Sequence, residues 1–179
     1  MQVKKISIIA MLLIAAILVG FAAPTVLAAE TPKVVVTVYV NAHDEDYIKN
    51  IQFDDGTTVG DYNYVIEYAT KTRDTSDLTT YFDYVGWIDR DGVISLSLDP
   101  VDAVRNTYSS MQSAWTSLEK PDNGVSTDAN WPTESANLQT LRWQYDCHWT
   151  FAKTKDYWNL EPSRTASNYL AVIMGECNP

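Results

Sequence analysis

The spacing of apolar positions in this chain changes period near residue 99. Upstream of it, apolar residues come in short β-branched and aromatic runs. Lys33 to Val40 (KVVVTVYV) and Tyr62 to Thr70 (YNYVIEYAT) predict strands. Between them Asn41 to Asp46 (NAHDED) is polar and acidic, and Asp55-Gly56 is a turn signal; Lys71 to Asp77 is polar again. Tyr81 to Ile88 and Val93 to Leu98 flank Asp89-Arg90-Asp91-Gly92, the pattern of a β-hairpin whose glycine supplies a positive φ. In the second arm Val93, Ser95 and Ser97 alternate with Ile94, Leu96 and Leu98, which predicts one buried face.

Beyond that point the period lengthens. Asp99 suits an N-cap and Pro100 the first helical position. Val101, Val104, Tyr108, Met111, Trp115 and Leu118 then recur at helical steps, one apolar stripe on a helix of about five turns. Pro121 to Pro132 (PDNGVSTDANWP) is a loop, and a second helix is predicted from Thr133 to Ala152. Its main stripe is Leu138, Leu141, Tyr145, Trp149 and Ala152. A second apolar line, Ala136, Trp143, Cys147 and Phe151, predicts cover on another side as well. Tyr169 to Met174 (YLAVIM) is β-prone and predicts a last strand. Strands, then helices, then a strand make an α+β domain, its antiparallel sheet carrying a β-hairpin and packed against two amphipathic helices.

Residues 1–29 read differently. Lys4 and Lys5 precede an apolar run from Ile8 to Ala23, and Val26-Leu27-Ala28 places small residues at the positions a signal peptidase requires. Pro24 interrupts a run otherwise nearly long enough to span a bilayer. The expectation is a leader cleaved after Ala28 or Ala29, a secreted extracellular product of residues 30–179 forming one domain, and no stable membrane insertion thereafter. Loss of the two lysines makes the net charge of −10 more negative still, and such repulsion opposes binding to nucleic acid or an anionic membrane. At 46% apolar and 12% aromatic the chain has the composition of a folded domain rather than a disordered one.

Export changes the reading of the two cysteines. In an oxidising compartment they are most simply one disulfide, Cys147 to Cys177; the alternative is a reactive thiol beside His148.

Several separated motifs then carry a family resemblance. They are Gly86-Trp87-Ile88-x-Arg90-x-Gly92-Val93-x-Ser95-Leu96-Ser97-Leu98-x-Pro100, Gln144-Tyr145-x-Cys147-His148, Trp158-Asn159-Leu160-Glu161-Pro162-Ser163-Arg164 and the terminal Cys177-Asn178-Pro179. From about Tyr81 to Pro179 the chain resembles secreted bacterial proteins grouped as domain of unknown function 2599. The resemblance implies export, the Cys147–Cys177 pair and a shared role with no assigned reaction.

Candidate chemistry centres on His148. Were Trp158 to Arg164 to fold back onto the second helix, Glu161 and Arg164 would meet His148 and Asp146. A carboxylate-held histidine can act as general base, and an arginine can neutralise an oxyanion. Against this stands a His148 that simply bonds a buried carbonyl beside a structural Glu161–Arg164 ion pair. A glycosidase pair of Glu161 with Asp146 or Asp89 can also be written, but 23 acids make accidental pairs easy to find. His43-Asp44-Glu45-Asp46 reads as a solvated loop, and Asp89-x-Asp91-Gly92 lacks the remaining ligands of a calcium loop. No metal site and no cofactor is therefore expected; with seven glycines there is no nucleotide-binding loop. Of the six tryptophans, Trp115 and Trp149 lie on helical stripes, whereas Trp131 and Trp158 fall in loop-like segments and are the candidates for an exposed ligand-binding patch. The reading that follows is a secreted, non-enzymatic domain that binds an extracellular protein or a cell-envelope glycan. The alternative is an extracellular hydrolase using His148 with Glu161 and Arg164.

Overall fold

The hairpin organises the rest of the molecule. In the computed structural model, which describes residues 33–38, 45–68, 76–90 and 92–179, β3 (Phe82–Arg90) and β4 (Val93–Pro100) pair antiparallel from Arg90↔Val93 to Phe82↔Pro100. Gly92 turns the chain at φ 86°, a value that a side chain would make costly, and its N–H donates to Asp89 Oδ1 at 2.8 Å. β5 (Trp158–Leu160) adds antiparallel to β4, and β1 (Lys33–Val38) adds antiparallel to β3. β2 (Asn63–Tyr68) lies parallel to β1 at the edge, giving the order β2-β1-β3-β4-β5. The parallel edge pair departs from a wholly antiparallel sheet; such a pair needs a crossover, and the chain between β1 and β2 supplies it. The expected leader and the His43-Asp44 pair lie outside the described residues.

Helices cover one face of the sheet. Val85, Trp87, Leu96 and Leu98 pack against Met111, Trp115, Leu118, Leu141 and Tyr145. On the other face, α1 (Glu45–Lys49) and the turns after it bring Ile48, Ile51, Phe53 and Val59 against Tyr84 and Ile88. This second layer overturns the expectation of one buried face on β4. Ser95 and Ser97 are 8% and 0% exposed because residues 45–62 lie over them, while Leu96 and Leu98 face the helices. The α+β class itself is the one the chain adopts, although α2 (Ser76–Tyr81) occupies part of a segment read as loop and strand.

The first long helix is broken. Pro100 still pairs with Phe82, so Asp99 and Pro100 end the strand instead of starting a helix. Val101 is the N-cap of α3 (Asp102–Asn106), Thr107 is extended, and α4 (Tyr108–Glu119) starts afresh. Arg105 fixes the short helix α3 in place. Its five N–H groups reach Pro100 O at 2.6 Å, Lys153 O at 2.8 Å, Asp156 O at 2.6 Å, Asp99 Oδ1 at 3.0 Å and Lys155 O, and hold α3 against the end of β4. The stripe changes direction at the break: Tyr108 is 63% exposed while Val104, Met111 and Leu118 stay buried.

The second long helix, α5 (Ser135–Phe151), falls where it was expected. Its second apolar line is covered at Trp143 and Cys147 by the C-terminal segment, although Phe151 is exposed. That segment is α6 (Tyr169–Met174), a helix rather than the expected strand. Asn168 caps it by accepting from Ala171 N–H at 3.0 Å. Tyr169, Val172 and Ile173 fall on one helical face and pack on α5, so tertiary docking outweighs the β-propensity of YLAVIM. Cys147 and Cys177 form the disulfide beside them, which leaves no free sulfur for the reactive-thiol alternative. Among the described residues no helix is long and apolar enough to cross a membrane.

Candidate functional site

The loop between α4 and α5 returns an aromatic side chain to the body of the molecule. Gly124 takes the left-handed conformation at φ 79°, Val125 is buried, and Asp128 Oδ1 accepts from Asn130 N–H at 2.9 Å. These turns bring the half-buried indole of Trp131 onto Trp115, ring centroids 5.9 Å apart and tilted by 39°. Trp131 also lines an open groove of about 390 Å³, bounded by Ile94 of the hairpin, Asn137 of α5 and Pro162 after β5. Asn137 Nδ2 donates to Pro162 O at 3.0 Å, so the far wall is tied to the helix.

A second depression, of about 510 Å³, lies between α4 and α5, with Trp115 among its lining and Gln112, Thr116 and Gln139 at its rim. Arg142 crosses it. Its guanidinium carbon sits 5.1 Å from the Trp115 ring centre, Nη2 donates to Gln112 Oε1 at 2.9 Å, and Nε donates to Asp146 Oδ2 at 3.1 Å. Asp146 is thereby engaged with Arg142 and not with His148.

Trp158 belongs to neither depression. Its pairing with Leu98 carries it into the sheet, where it is fully buried and stands edge-on to Tyr145 at 5.5 Å. The expected patch of Trp131 with Trp158 does not exist: the Trp158-Asn159-Leu160 run that reads as loop is a sheet edge strand closed over by α5.

His148 has no exposed surface. Its Nδ1 lies 2.9 Å from Gln144 O, and since a carbonyl only accepts, Nδ1 carries the proton. Nε2 is a buried acceptor without a partner. Burial holds the imidazole below its ordinary pKa and therefore neutral; the nearby Asp54 carboxylate opposes that shift and Lys155 reinforces it. Glu161 pairs with Arg164 instead. His148 thus makes no hydrogen bond to Glu161 or Arg164, and its ring is closed off from solvent in this arrangement. Asp89 accepts from Gly92 in the hairpin turn.

Other residues that hold these surfaces together escaped the sequence reading. Asp54 receives Lys155 Nζ and Asn178 Nδ2, each at 2.7 Å, and so links the layer of residues 45–62 to the loop after α5 and to the C-terminus. Gln144 and Glu161 belong to two motifs separated along the sequence, and the structure shows that they touch. Arg105 gave no periodic signal, because three of its five partners are backbone carbonyls about 50 residues away.

A family model described as Protein of unknown function (DUF2599) matches residues 82–179, from β3 to the end of the chain. β1, β2 and the layer of residues 45–62 lie outside that match. No curated protein and no solved structure matches the chain.

Proposed function

Because the chain belongs to the DUF2599 family, which carries no assigned function, we propose one from its own surface: a secreted, non-catalytic binding domain whose ligand seat is the Trp131 groove. The observation that carries this reading is the contrast between two sites. A half-buried indole lines an open groove, whereas the candidate general base His148 is sealed inside. Open, partly apolar grooves with a few polar groups are where ligands bind. Export rests on the leader-like residues 1–29 and agrees with the Cys147–Cys177 disulfide, a bond that persists in oxidising compartments. The partner is accordingly extracellular or part of the cell envelope, and residues 30–179 act as one domain.

Incubating the mature protein with purified cell-wall material tests the reading. It should sediment with the wall, release no soluble fragments, and lose most of this retention in Trp131→Ala. Release of fragments that His148→Ala abolishes would replace the binding domain by a hydrolase.

A further inference from the structure

Resting on the binding reading above, we propose that the ligand is a neutral, extended oligosaccharide that runs from the Trp131 groove into the depression between α4 and α5. The two depressions are neighbours. Trp131 lines one and Trp115 the other, their rings 5.9 Å apart, and the start of α5 contributes its N-cap Glu134 to one and Ser135 to the next. Their polar linings are alike: Asn130, Thr133 and Asn137 in the first, Gln112, Thr116 and Gln139 in the second. Amides and hydroxyls both donate and accept, which matches the hydroxyl groups of a sugar, while the half-buried indole of Trp131 offers an apolar surface to the C–H face of a sugar ring.

Charge narrows the ligand further. The one guanidinium in the second depression, that of Arg142, is already satisfied by Asp146 and Gln112. The remaining ionic groups on these linings are Glu134 and Glu119, on a chain of net charge −10, so a polyanion is repelled. A cationic peptide would need carboxylates grouped together, whereas Glu134 and Glu119 lie one in each depression among amides and hydroxyls.

Calorimetric titration of the intact mature protein with chito- and cello-oligosaccharides, from disaccharide to hexasaccharide, tests this. Affinity should rise about tenfold with length as the second depression fills, and should change little with salt. Trp131→Ala should weaken every length about tenfold. Because Trp131 also packs on Trp115, the exposed Gln139→Ala provides a variant that leaves the core intact; it should weaken the hexasaccharide and spare the disaccharide. Equal affinity at all lengths overturns the path across both depressions. Wall binding that depends on Trp131, with none of these sugars bound, overturns the ligand class and keeps the binding reading; absence of wall binding and of sugar binding removes both.

Discussion

The side-chain amide of Gln144 meets the backbone of Glu161 as a neighbouring strand would, with Nε2 donating to Glu161 O at 2.9 Å and Glu161 N–H donating to Oε1 at 2.7 Å. β5 has three residues and lies at the edge of the sheet, so its continuation needs partners for its peptide groups. A buried helix side chain provides them. Gln144→Leu fits the same space but leaves one N–H and one C=O without partners. The expected loss is about 2–4 kcal/mol of unfolding free energy, read from equilibrium urea denaturation. A loss under about 0.5 kcal/mol would show that solvent replaces the amide freely.

Arg105 should tolerate no conservative replacement. All five of its N–H groups are used, four on the backbone carbonyls of Pro100, Lys153, Lys155 and Asp156 and one on Asp99. A lysine has three donors at one point and cannot span that set. Arg105→Lys is expected to cost about 2–3 kcal/mol. It should also raise amide exchange locally in residues 152–157, while the β3–β4 hairpin keeps its protection. Uniform exchange across the molecule would show a global effect rather than a loosened loop.

What could be read ahead of the structure divides by range. The β3–β4 hairpin was legible because its signals are local: Gly92 at the turn and alternation along Ile94, Leu96 and Leu98. The burial of Ser95 and Ser97 was not, because it depends on a layer contributed from residues 45–62. Helix α5 declared itself by period, whereas α6 is too short for period to outweigh β-propensity and becomes a helix by docking on Trp143 and Cys147. Of the site candidates, Trp131 lines a groove as a loop tryptophan can, but Trp158 is buried by a three-residue strand whose pairing with Leu98 no local pattern announces. His148 and Glu161 are near in the fold through Gln144, yet each side chain turns to a partner of its own segment, His148 to Gln144 O four residues back and Glu161 to Arg164 three residues on, so the motifs meet without their reactive groups meeting.

Reducing the Cys147–Cys177 bond should lower the melting temperature. The bond closes a separation of 30 residues, which in the chain-entropy account is worth about 3–4 kcal/mol, or roughly 6–16 °C for a domain of this size. The loss should begin at the C-terminus. Gly175 can take no side chain there, since a Cβ would come within 2.6 Å of Pro179 Cα, and Glu176 and Cys177 both hold positive φ. Scanning calorimetry with and without reductant measures the shift, and exchange at Val172 and Ile173 locates it. Unchanged melting after verified reduction would show that packing of α6 on α5 alone suffices.

Acid should weaken the fold through His148. Burial holds its folded pKa below the ordinary 6.5 that the unfolded chain shows. Between those two values the unfolded state binds a proton that the folded state refuses, so the stabilisation is fully present above about pH 6.5 and is lost as pH falls below it. The slope can reach about 1.4 kcal/mol per pH unit and ends where the folded histidine protonates as well. Asp54 faces the ring's surroundings and softens the loss, while Lys155 adds to it. His148→Gln removes the titrating group while its amide can still donate to Gln144 O. Asp99, which burial holds above the ordinary carboxylate range, titrates in both proteins and cancels in the comparison. Urea midpoints at about pH 7.5 and about pH 5.5 should therefore converge for the variant relative to wild type. If the two proteins instead keep parallel pH profiles, the imidazole is protonated as readily folded as unfolded, and its burial carries no acid sensitivity.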